Sequence, residues 1–67
     1  MSMGEKVKRH RKELSLSQKE LAERLMIGQS TLACYETNRR QIPYDILIAL
    51  AQLFDVTTDY LLGLENI

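Results

Sequence analysis

The sequence contains few of the residues that cross-link or bridge small proteins. Its 67 residues include one cysteine, Cys34, so the chain cannot form an internal disulfide, and one histidine, His10, so no Cys/His cluster with metal-ligand spacing is present. No apolar run approaches the roughly 18 residues of a membrane span, and the basic first residues lack the apolar segment of a secretory signal. We therefore expect one domain held by apolar burial in the cytoplasm, with no metal or cofactor.

The residue groups on which enzyme active sites are commonly built are also missing. The sequence has no glycine-rich phosphate loop and no pair of carboxylates in an apparent cleft. No candidate nucleophile is accompanied by a general base. We therefore expect that the chain is not an enzyme, and no small-molecule effector is evident.

The charged residues are segregated along a chain whose formal net charge is zero. Residues 1–42 hold all nine basic residues and five acidic ones, a net charge of +4, whereas residues 43–67 hold four acidic residues and no base. A chain polarised in this way can present a basic end to a polyanion. Scattered solvated charges are the ordinary interpretation, but they do not explain why every base lies in the first part.

Apolar periodicity and capping signals predict an all-α fold, a single compact domain over residues 1–67. Ser17 is a good N-cap, and Glu20, three residues later, completes a capping box. The other predicted helix ends are Gly28 and Thr57 as N-caps, Pro43 in a first turn, and Asn38 and Gly63 after C-termini. The five predicted helices span about residues 4–14, 18–25, 29–37, 43–54 and 58–62.

The second and third predicted helices are joined by a very short connection, since only Met26 and Ile27 precede the Gly28 cap. Two short helices joined in this way cannot lie antiparallel and must cross steeply, as in a helix-turn-helix. Many helical domains contain such a corner, so the geometry alone is weakly specific.

Two stretches carry a more specific resemblance: LSQKELAERLMIGQSTLACYETNRRQIP, residues 16–43, and LIALAQLFDVTTDYLLG, residues 47–63. Together they resemble the DNA-binding domain of the phage lambda repressor and Cro family, also called the XRE family, over about residues 4–63. The resemblance implies a compact five-helix domain, lambda-repressor-like, whose third helix enters the major groove of DNA.

A helical projection of the third helix agrees with that placement. At about 100° per residue and with Leu32 facing the core, Tyr35 and Glu36 lie on the inward side. The far side then carries Ser30, Ala33, Cys34 and Thr37. A helix that enters a groove about 12 Å wide needs short, neutral, hydrogen-bonding side chains there. This requirement explains why MIGQSTLACYE, residues 26–36, contains no lysine or arginine.

The resemblance also implies roles for particular residues. The DNA base contacts would come from Gln29, Ser30, Ala33, Cys34 and Thr37, and the amide of Gln29 would pair with adenine. The phosphate contacts would come from Gln18, Lys19, Thr31, Asn38, Arg39 and Arg40. Gln18 lies at a helix N-terminus, where an anion is favoured, and would also brace Gln29. Arg11 and Glu36 would form a buried ion pair between the first and third helices.

Two positions depart from the family pattern. Met26 stands where a turn glycine is common, so a left-handed backbone there would cost roughly 1 kcal/mol or more. The alternative is a reshaped turn that alters the angle of the third helix. Gly28 replaces the usual serine or threonine cap, a loss of only a few tenths of a kcal/mol.

Two side chains allow a second interpretation. Cys34 could act as a redox sensor, because oxidation would add bulk or charge against DNA, but no second cysteine or neighbouring base is visible. The simpler interpretation is a small residue that fits the groove. His10 has no visible partner, so we interpret it as a packing residue on a helix face rather than a ligand.

The stretch DYLLGLENI, residues 59–67, leaves apolar side chains that a small monomer need not cover. We predict a homodimer, since two-fold symmetry doubles the site that one small helix can recognise. The predicted interface residues are Tyr60, Leu61, Leu64 and Ile67. The alternative is a monomer that buries these side chains in its own core.

The predicted function is therefore a sequence-specific transcriptional regulator. It would bind a roughly palindromic operator in double-stranded DNA as a homodimer, and repress by occupying it. Two alternatives stay open: an antitoxin whose partner is a toxin protein, and a helical protein–protein adaptor that does not bind DNA.

Overall fold

The computed structural model describes residues 1–64, which form five α-helices and no strand. These are α1 (Met3–Glu13), α2 (Gln18–Leu25), α3 (Gln29–Glu36), α4 (Tyr44–Phe54) and α5 (Thr58–Leu62). The predicted all-α, five-helix fold is confirmed, and α2 and α5 have the predicted bounds. Within residues 1–64, none of the helices has both the length and the apolar character needed to cross a membrane.

α1 begins and ends one residue earlier than its predicted bounds of 4–14. Ser2 is its N-cap: the hydroxyl accepts a hydrogen bond from the Glu5 N–H at 3.2 Å, and the Glu5 carboxylate accepts from the Ser2 N–H at 3.1 Å. This capping box has the same spacing as Ser17–Glu20 but is not among the predicted features. At the other end, Leu14 is the C-cap instead of the last helical residue.

The neighbouring ends of α3 and α4 also differ from the prediction by one residue. α3 stops at Glu36, with Thr37 as its C-cap, and Asn38 follows in the predicted left-handed conformation with φ of 61°. Pro43 is the N-cap of α4 and not its first helical residue, because its ψ of 159° is extended. Its φ of −64° fits both positions, so the sequence alone does not separate them.

The apolar core forms where all five helices meet. Its most deeply buried side chains come from one helix each and are at most 1% exposed: Val7, Leu21, Leu32, Leu50 and Leu61. The predicted place of Leu61 in a dimer interface is therefore wrong, since this side chain fills the monomer's own core. The adjacent Leu62 is 44% exposed. Val56 before the Thr57 cap and Leu61 at the fourth helical position have the spacing of a hydrophobic staple, which indicates an inward-facing Leu61.

The other predicted interface residues have different surroundings. Tyr60 is partly buried against α1, where its backbone carbonyl accepts a hydrogen bond from Lys6 Nζ at 2.7 Å. Leu64 is 72% exposed. Ile67 lies outside the described residues. Leu64 is thus the one predicted interface residue, among those described, that is largely available to a partner.

Candidate nucleic-acid interface

The connection between α2 and α3 is a tight turn over residues 26–28. Met26 is the C-cap of α2 in the left-handed conformation, with φ of 59° and ψ of 40°, and its N–H points to the carbonyl oxygens of Ala22 and Glu23. Its side chain is 92% exposed. Of the two alternatives for this turn, the left-handed backbone is the one found, with a cost of roughly 1 kcal/mol for a residue that has a Cβ.

α3 directs one side into the core and the other to solvent. On the inward side Leu32, Tyr35 and Glu36 are 0%, 5% and 4% exposed. On the outward side Gln29, Ser30 and Thr37 are exposed, and Thr31, Ala33 and Cys34 are partly buried. The orientation of α3 is thus the one obtained from the helical projection.

The outward side of α3 and the side chain of Arg39 together form an open concave surface. The residues that line it are Ser30, Ala33, Cys34, Thr37 and Arg39. Arg39 is the one charged residue among them. The Thr37 hydroxyl donates to the Ala33 carbonyl at 2.8 Å, so this side chain offers an acceptor and not a donor to a ligand. A surface of this kind presents small neutral groups beside a single cation.

The predicted Arg11–Glu36 ion pair is present and nearly inaccessible to water. Arg11 Nε lies 2.7 Å from Glu36 Oε2, and Arg11 Nη2 lies 3.3 Å from Oε1. Arg11 Nη1 also donates to the Leu16 carbonyl at 2.8 Å. The guanidinium of α1 therefore connects α3 with the residues just before α2, and both charges of the pair have partners, as buried charges require.

Gln18 has a partner that differs from the predicted one. Its Nε2 donates to Glu36 Oε1 at 3.0 Å, and no hydrogen bond links it to Gln29 in the described part of the chain. The predicted bracing of Gln29 is therefore absent, because the buried carboxylate of Glu36 attracts the amide instead. The second hydrogen of Nε2 is still available to a phosphate oxygen, since an amide nitrogen carries two.

Of the cations predicted to contact phosphate, Arg39 lines the outward side of α3. Arg39 and Arg40 come after the C-cap Thr37 and Asn38 and are exposed, as is Lys19 in the first turn of α2. The first turn of α2 also contains Glu20, whose pKa is lowered mainly by the hydrogen bond from the Ser17 N–H at 2.9 Å and then by the Ser17 side chain. The Glu20 carboxylate is therefore engaged in the capping box of α2.

Asn38 is also predicted to contact phosphate, but its side chain is occupied elsewhere. Oδ1 accepts from the Gly4 N–H at 3.1 Å, and Nδ2 donates to the Ser2 hydroxyl at 2.9 Å. Both contacts reach α1 and its cap, more than 30 residues earlier in the sequence. Local sequence signals mark Asn38 as a residue that tolerates a left-handed backbone, but they contain no information about these partners.

His10 packs on a helix face as predicted, although the statement that it lacks a partner is wrong. Its ring stacks on Phe54 with centroids 5.3 Å apart, and Nε2 lies 3.1 Å from the Tyr60 hydroxyl. That hydroxyl accepts from Arg9 Nη2 at 2.9 Å. The Tyr60 partner is 50 residues away. Among residues 1–64, no group of three His, Cys, Asp or Glu side chains is placed to hold a metal ion.

A steeply turned helix pair with a polar outward second helix defines a helix-turn-helix domain. A family model described as "Helix-turn-helix domain" matches residues 4–67. The chain is also 42% identical over 67 residues to the HTH-type transcriptional regulator ImmR of Bacillus subtilis (strain 168), covering 100% of this chain and 53% of ImmR. The chain belongs to the helix-turn-helix domain family, in its lambda-repressor-like form. It spans about half the length of the curated relatives it matches.

Solved structures of a repressor and of a regulator share the fold. The P22 c2 repressor in complex with a synthetic operator has a TM-score of 0.89 at 25% identity, over 97% of this chain and 98% of that one. SinR, described as a master regulator for biofilm formation, in complex with DNA has a TM-score of 0.77 at 32% identity, over 88% and 95%. SinR in complex with SinI has a TM-score of 0.78 at 33% identity, over 90% and 59%. The resemblance to the lambda repressor and Cro family is thereby confirmed.

Proposed function

We propose that this chain is the DNA-binding part of a transcriptional repressor that recognises a specific double-stranded operator. The observation that carries the proposal is the outward side of α3, where small neutral side chains line one surface next to Arg39. ImmR supports it by its name, and P22 c2 and SinR support it because they have been solved with operator DNA or DNA. In a bacterium, such as the one that contains ImmR, such a repressor would work in the cytoplasm, where the DNA lies.

In the proposed complex α3 lies in the major groove and discriminates between base pairs. Gln29 is the first residue of α3 and is exposed, so its amide can donate to and accept from adenine in a bidentate pair. Ser30 and Thr37 supply hydroxyl oxygens, and Ala33 and Cys34 supply small apolar surface that can meet a thymine methyl group. None of these side chains carries a formal charge, so their contribution is to specificity.

Affinity in the proposed complex comes from contacts to the DNA backbone. Arg39, Arg40 and Lys19 are exposed and can neutralise phosphates, and the N–H groups in the first turn of α2 favour an anion. Each neutralised phosphate releases counterions, which makes the slope of log affinity against log salt more negative by about 0.9. This part of the binding is insensitive to sequence.

We further propose that two copies bind one operator with two-fold symmetry. One α3 contacts only a few base pairs, and a homodimer would place two of them in successive major grooves about one helical turn apart. Leu64 and Leu62, which are 72% and 44% exposed, provide apolar surface at the α5 end for such a contact. Repression by occupancy alone would need no other activity in this part of the chain.

Selection from a pool of random duplexes tests the proposed function directly. The expected result is an enriched motif that consists of two inverted half-sites with a fixed spacing near one turn of the double helix. An enriched motif with one half-site would retain DNA recognition and reject the dimer. Recovery of unselected sequences, with no enrichment after repeated rounds, would contradict sequence-specific binding.

A protein partner is a second candidate, favoured by the similarity to SinR in complex with SinI. The antitoxin and adaptor alternatives both require such a partner. Tyr44, Ile48 and Leu62 are exposed apolar residues of α4 and α5 and would suit a protein contact. An adaptor would bind its partner with an affinity that hardly depends on salt and would not bind duplex DNA, whereas an antitoxin would bind both.

A further inference from the structure

The side chain of Asn38 joins the segment after α3 to the beginning of α1. Its Oδ1 accepts from the Gly4 N–H at 3.1 Å, and its Nδ2 donates to the Ser2 hydroxyl at 2.9 Å. These partners lie 34 and 36 residues earlier in the sequence. We call these three residues, Ser2, Gly4 and Asn38, the N-terminal clasp.

The clasp satisfies a backbone group that α1 cannot satisfy by itself. The first N–H groups of an α-helix have no acceptor within the helix. Ser2 supplies an acceptor for one of them, since its hydroxyl accepts from the Glu5 N–H at 3.2 Å. The Gly4 N–H, in the same turn, is bound by Asn38. The clasp is therefore a helix cap supplied by a different element of the fold.

At the clasp, the backbone of α1 at Gly4 lies directly against the backbone of the last turn of α3, with the Asn38 side chain beside the contact. A Cβ on Gly4 would come 2.4 Å from the Tyr35 carbonyl oxygen and 2.7 Å from that of Glu36, so only glycine fits at this position. The positive N-terminal end of α1 thus meets the negative C-terminal end of α3, which is a favourable arrangement of helix dipoles. Because backbone contacts backbone, this junction moves only if a whole helix moves.

Asn38 also sets the direction in which the chain leaves α3. Its φ of 61° is left-handed, and the following N–H, that of Arg39, bonds to the Cys34 carbonyl at 2.9 Å. Arg39 and Arg40 come next, and both are exposed. A long side chain on a mobile backbone segment samples many positions and loses that freedom when it binds a phosphate. If the backbone segment is held in one position, less conformational entropy is lost on binding.

We propose that Asn38 is a positioning residue for the two arginines. Through the N-terminal clasp, Asn38 holds the backbone of the segment after α3 against α1. Arg39 and Arg40 are carried by this segment, so they stand beside α3 before DNA binds. The inference rests on the proposed DNA-binding function and replaces the predicted direct contact of Asn38 with phosphate. It has a specific consequence: Ser2, which belongs to the cap of α1, contributes to DNA affinity without touching DNA.

The substitution Asn38→Gly tests this role because glycine keeps the left-handed backbone and removes both clasp hydrogen bonds. We expect binding to all duplexes to weaken about tenfold, with the same base preference and a salt slope that is less steep by about 1. In an Arg39→Ala/Arg40→Ala background the same substitution should have no further effect, because Asn38 acts through those arginines. An equal loss in both backgrounds would mean that Asn38 contacts DNA directly, and would overturn the inference.

Ser2→Ala breaks the clasp from the side of α1 and leaves the arginine segment unchanged. We expect a smaller loss of affinity, about threefold, and a salt slope that again becomes less steep. Thr57→Ala is the matched control, because it removes the N-cap of α5, where the hydroxyl accepts from the Tyr60 N–H at 3.0 Å, and leaves the clasp intact. Equal effects of both substitutions would reflect a general loss of stability and would reject the positioning role.

Hydrogen exchange at the Gly4 amide examines the clasp without DNA. We expect this amide to be protected in the unmodified chain and to exchange about tenfold faster in Asn38→Gly. The Gly4 amide could instead exchange at the same rate in the unmodified chain and in Asn38→Gly, while the unmodified chain binds duplexes with a steep salt slope. The clasp inference would then fail and the proposed function would stand. If Gly4 is protected but no duplex is bound, the proposed function fails, and the positioning role fails with it.

Discussion

The two ends of α3 are held in different ways, and the C-terminal end is held far more firmly. There, the buried Glu36 carboxylate accepts hydrogen bonds from Arg11 and Gln18, which belong to α1 and α2. Two residues later, Asn38 fastens the chain to the start of α1. Side chains of α1 and α2, together with Asn38 after the helix, therefore fix where α3 ends.

The N-terminal end of α3 has none of these side-chain contacts. Gly28 caps it without a side-chain hydrogen bond, and the exposed Met26 before it adopts a left-handed backbone. Gln29, the proposed base-contacting residue, begins the helix at this end. The position of α3 is therefore set at its C-terminal end, while its first turn follows from the path of the backbone and from the burial of Leu32.

The largest expected effect comes from removing the carboxylate at the firmly held end. Glu36→Ala should lower the free energy of unfolding by about 3–5 kcal/mol, because Arg11 is left buried without its partner. Urea or thermal unfolding followed by circular dichroism measures the change. The matched control is Glu13→Ala, which breaks an exposed ion pair with Arg9 at 3.8 Å and should cost at most about 0.5 kcal/mol. Similar costs for the two substitutions would show that the C-terminal end does not depend on Glu36.

The second prediction concerns specificity and compares Gln29, the first residue of α3, with Arg39, which follows its C-terminal end. Gln29→Ala should relax base preference at one position of each half-site, with a penalty of about 1–3 kcal/mol on the preferred duplex. Arg39→Ala should weaken binding to all duplexes alike and reduce the salt slope by about 1. Titration of matched and mismatched duplexes at several salt concentrations separates the two. If both substitutions weaken all duplexes equally, the assignment of base and phosphate contacts is wrong.

The two sets of contacts at the C-terminal end of α3 differ in how far the sequence predicts them. The Arg11–Glu36 pair follows from the family resemblance together with the inward positions of both residues on their helices. The partners of Asn38 could not be predicted, because they lie more than 30 residues away and depend on Gly4, whose lack of a Cβ matters only once α1 and α3 are in contact. Sequence patterns report local backbone preference, whereas such contacts are decided by packing.

Other features of the fold depend on spacing within a single helix. The Ser2–Glu5 capping box was available from local spacing, since Ser17–Glu20 has the same pattern and is predicted. The inward position of Leu61 was also available from local spacing, because Val56 precedes the Thr57 cap and Leu61 is the fourth helical residue, which is the spacing of a hydrophobic staple. The outward side of α3 was predictable, because eight residues span two turns around the buried Leu32.

The third prediction relieves the strain at the loosely held end. Met26→Gly should raise the free energy of unfolding by about 0.5–1 kcal/mol, because glycine adopts the left-handed backbone without a Cβ penalty and the lost side chain is exposed. Arg24→Gly is the matched control: this exposed residue lies inside α2, where glycine should cost about 1 kcal/mol. Urea unfolding of both variants measures the change in the free energy of unfolding, which should be positive for Met26→Gly and negative for Arg24→Gly. A loss of stability in Met26→Gly would mean that the methionine side chain stabilises the turn.

The smallest expected effect comes from supplying the cap that α3 lacks. A Cβ on Gly28 would have Thr31 Oγ1 at 3.8 Å as its nearest atom, and the backbone there is extended with φ of −72°, so a serine fits without strain. Gly28→Ser should stabilise the fold by a few tenths of a kcal/mol, because its hydroxyl can accept from an N–H in the first turn of α3. Calorimetry should show a melting temperature higher by about 1–3 °C. The base preference should stay the same, since Gln29 keeps its backbone position; a changed preference would mean that the first turn of α3 is not held by the backbone path alone.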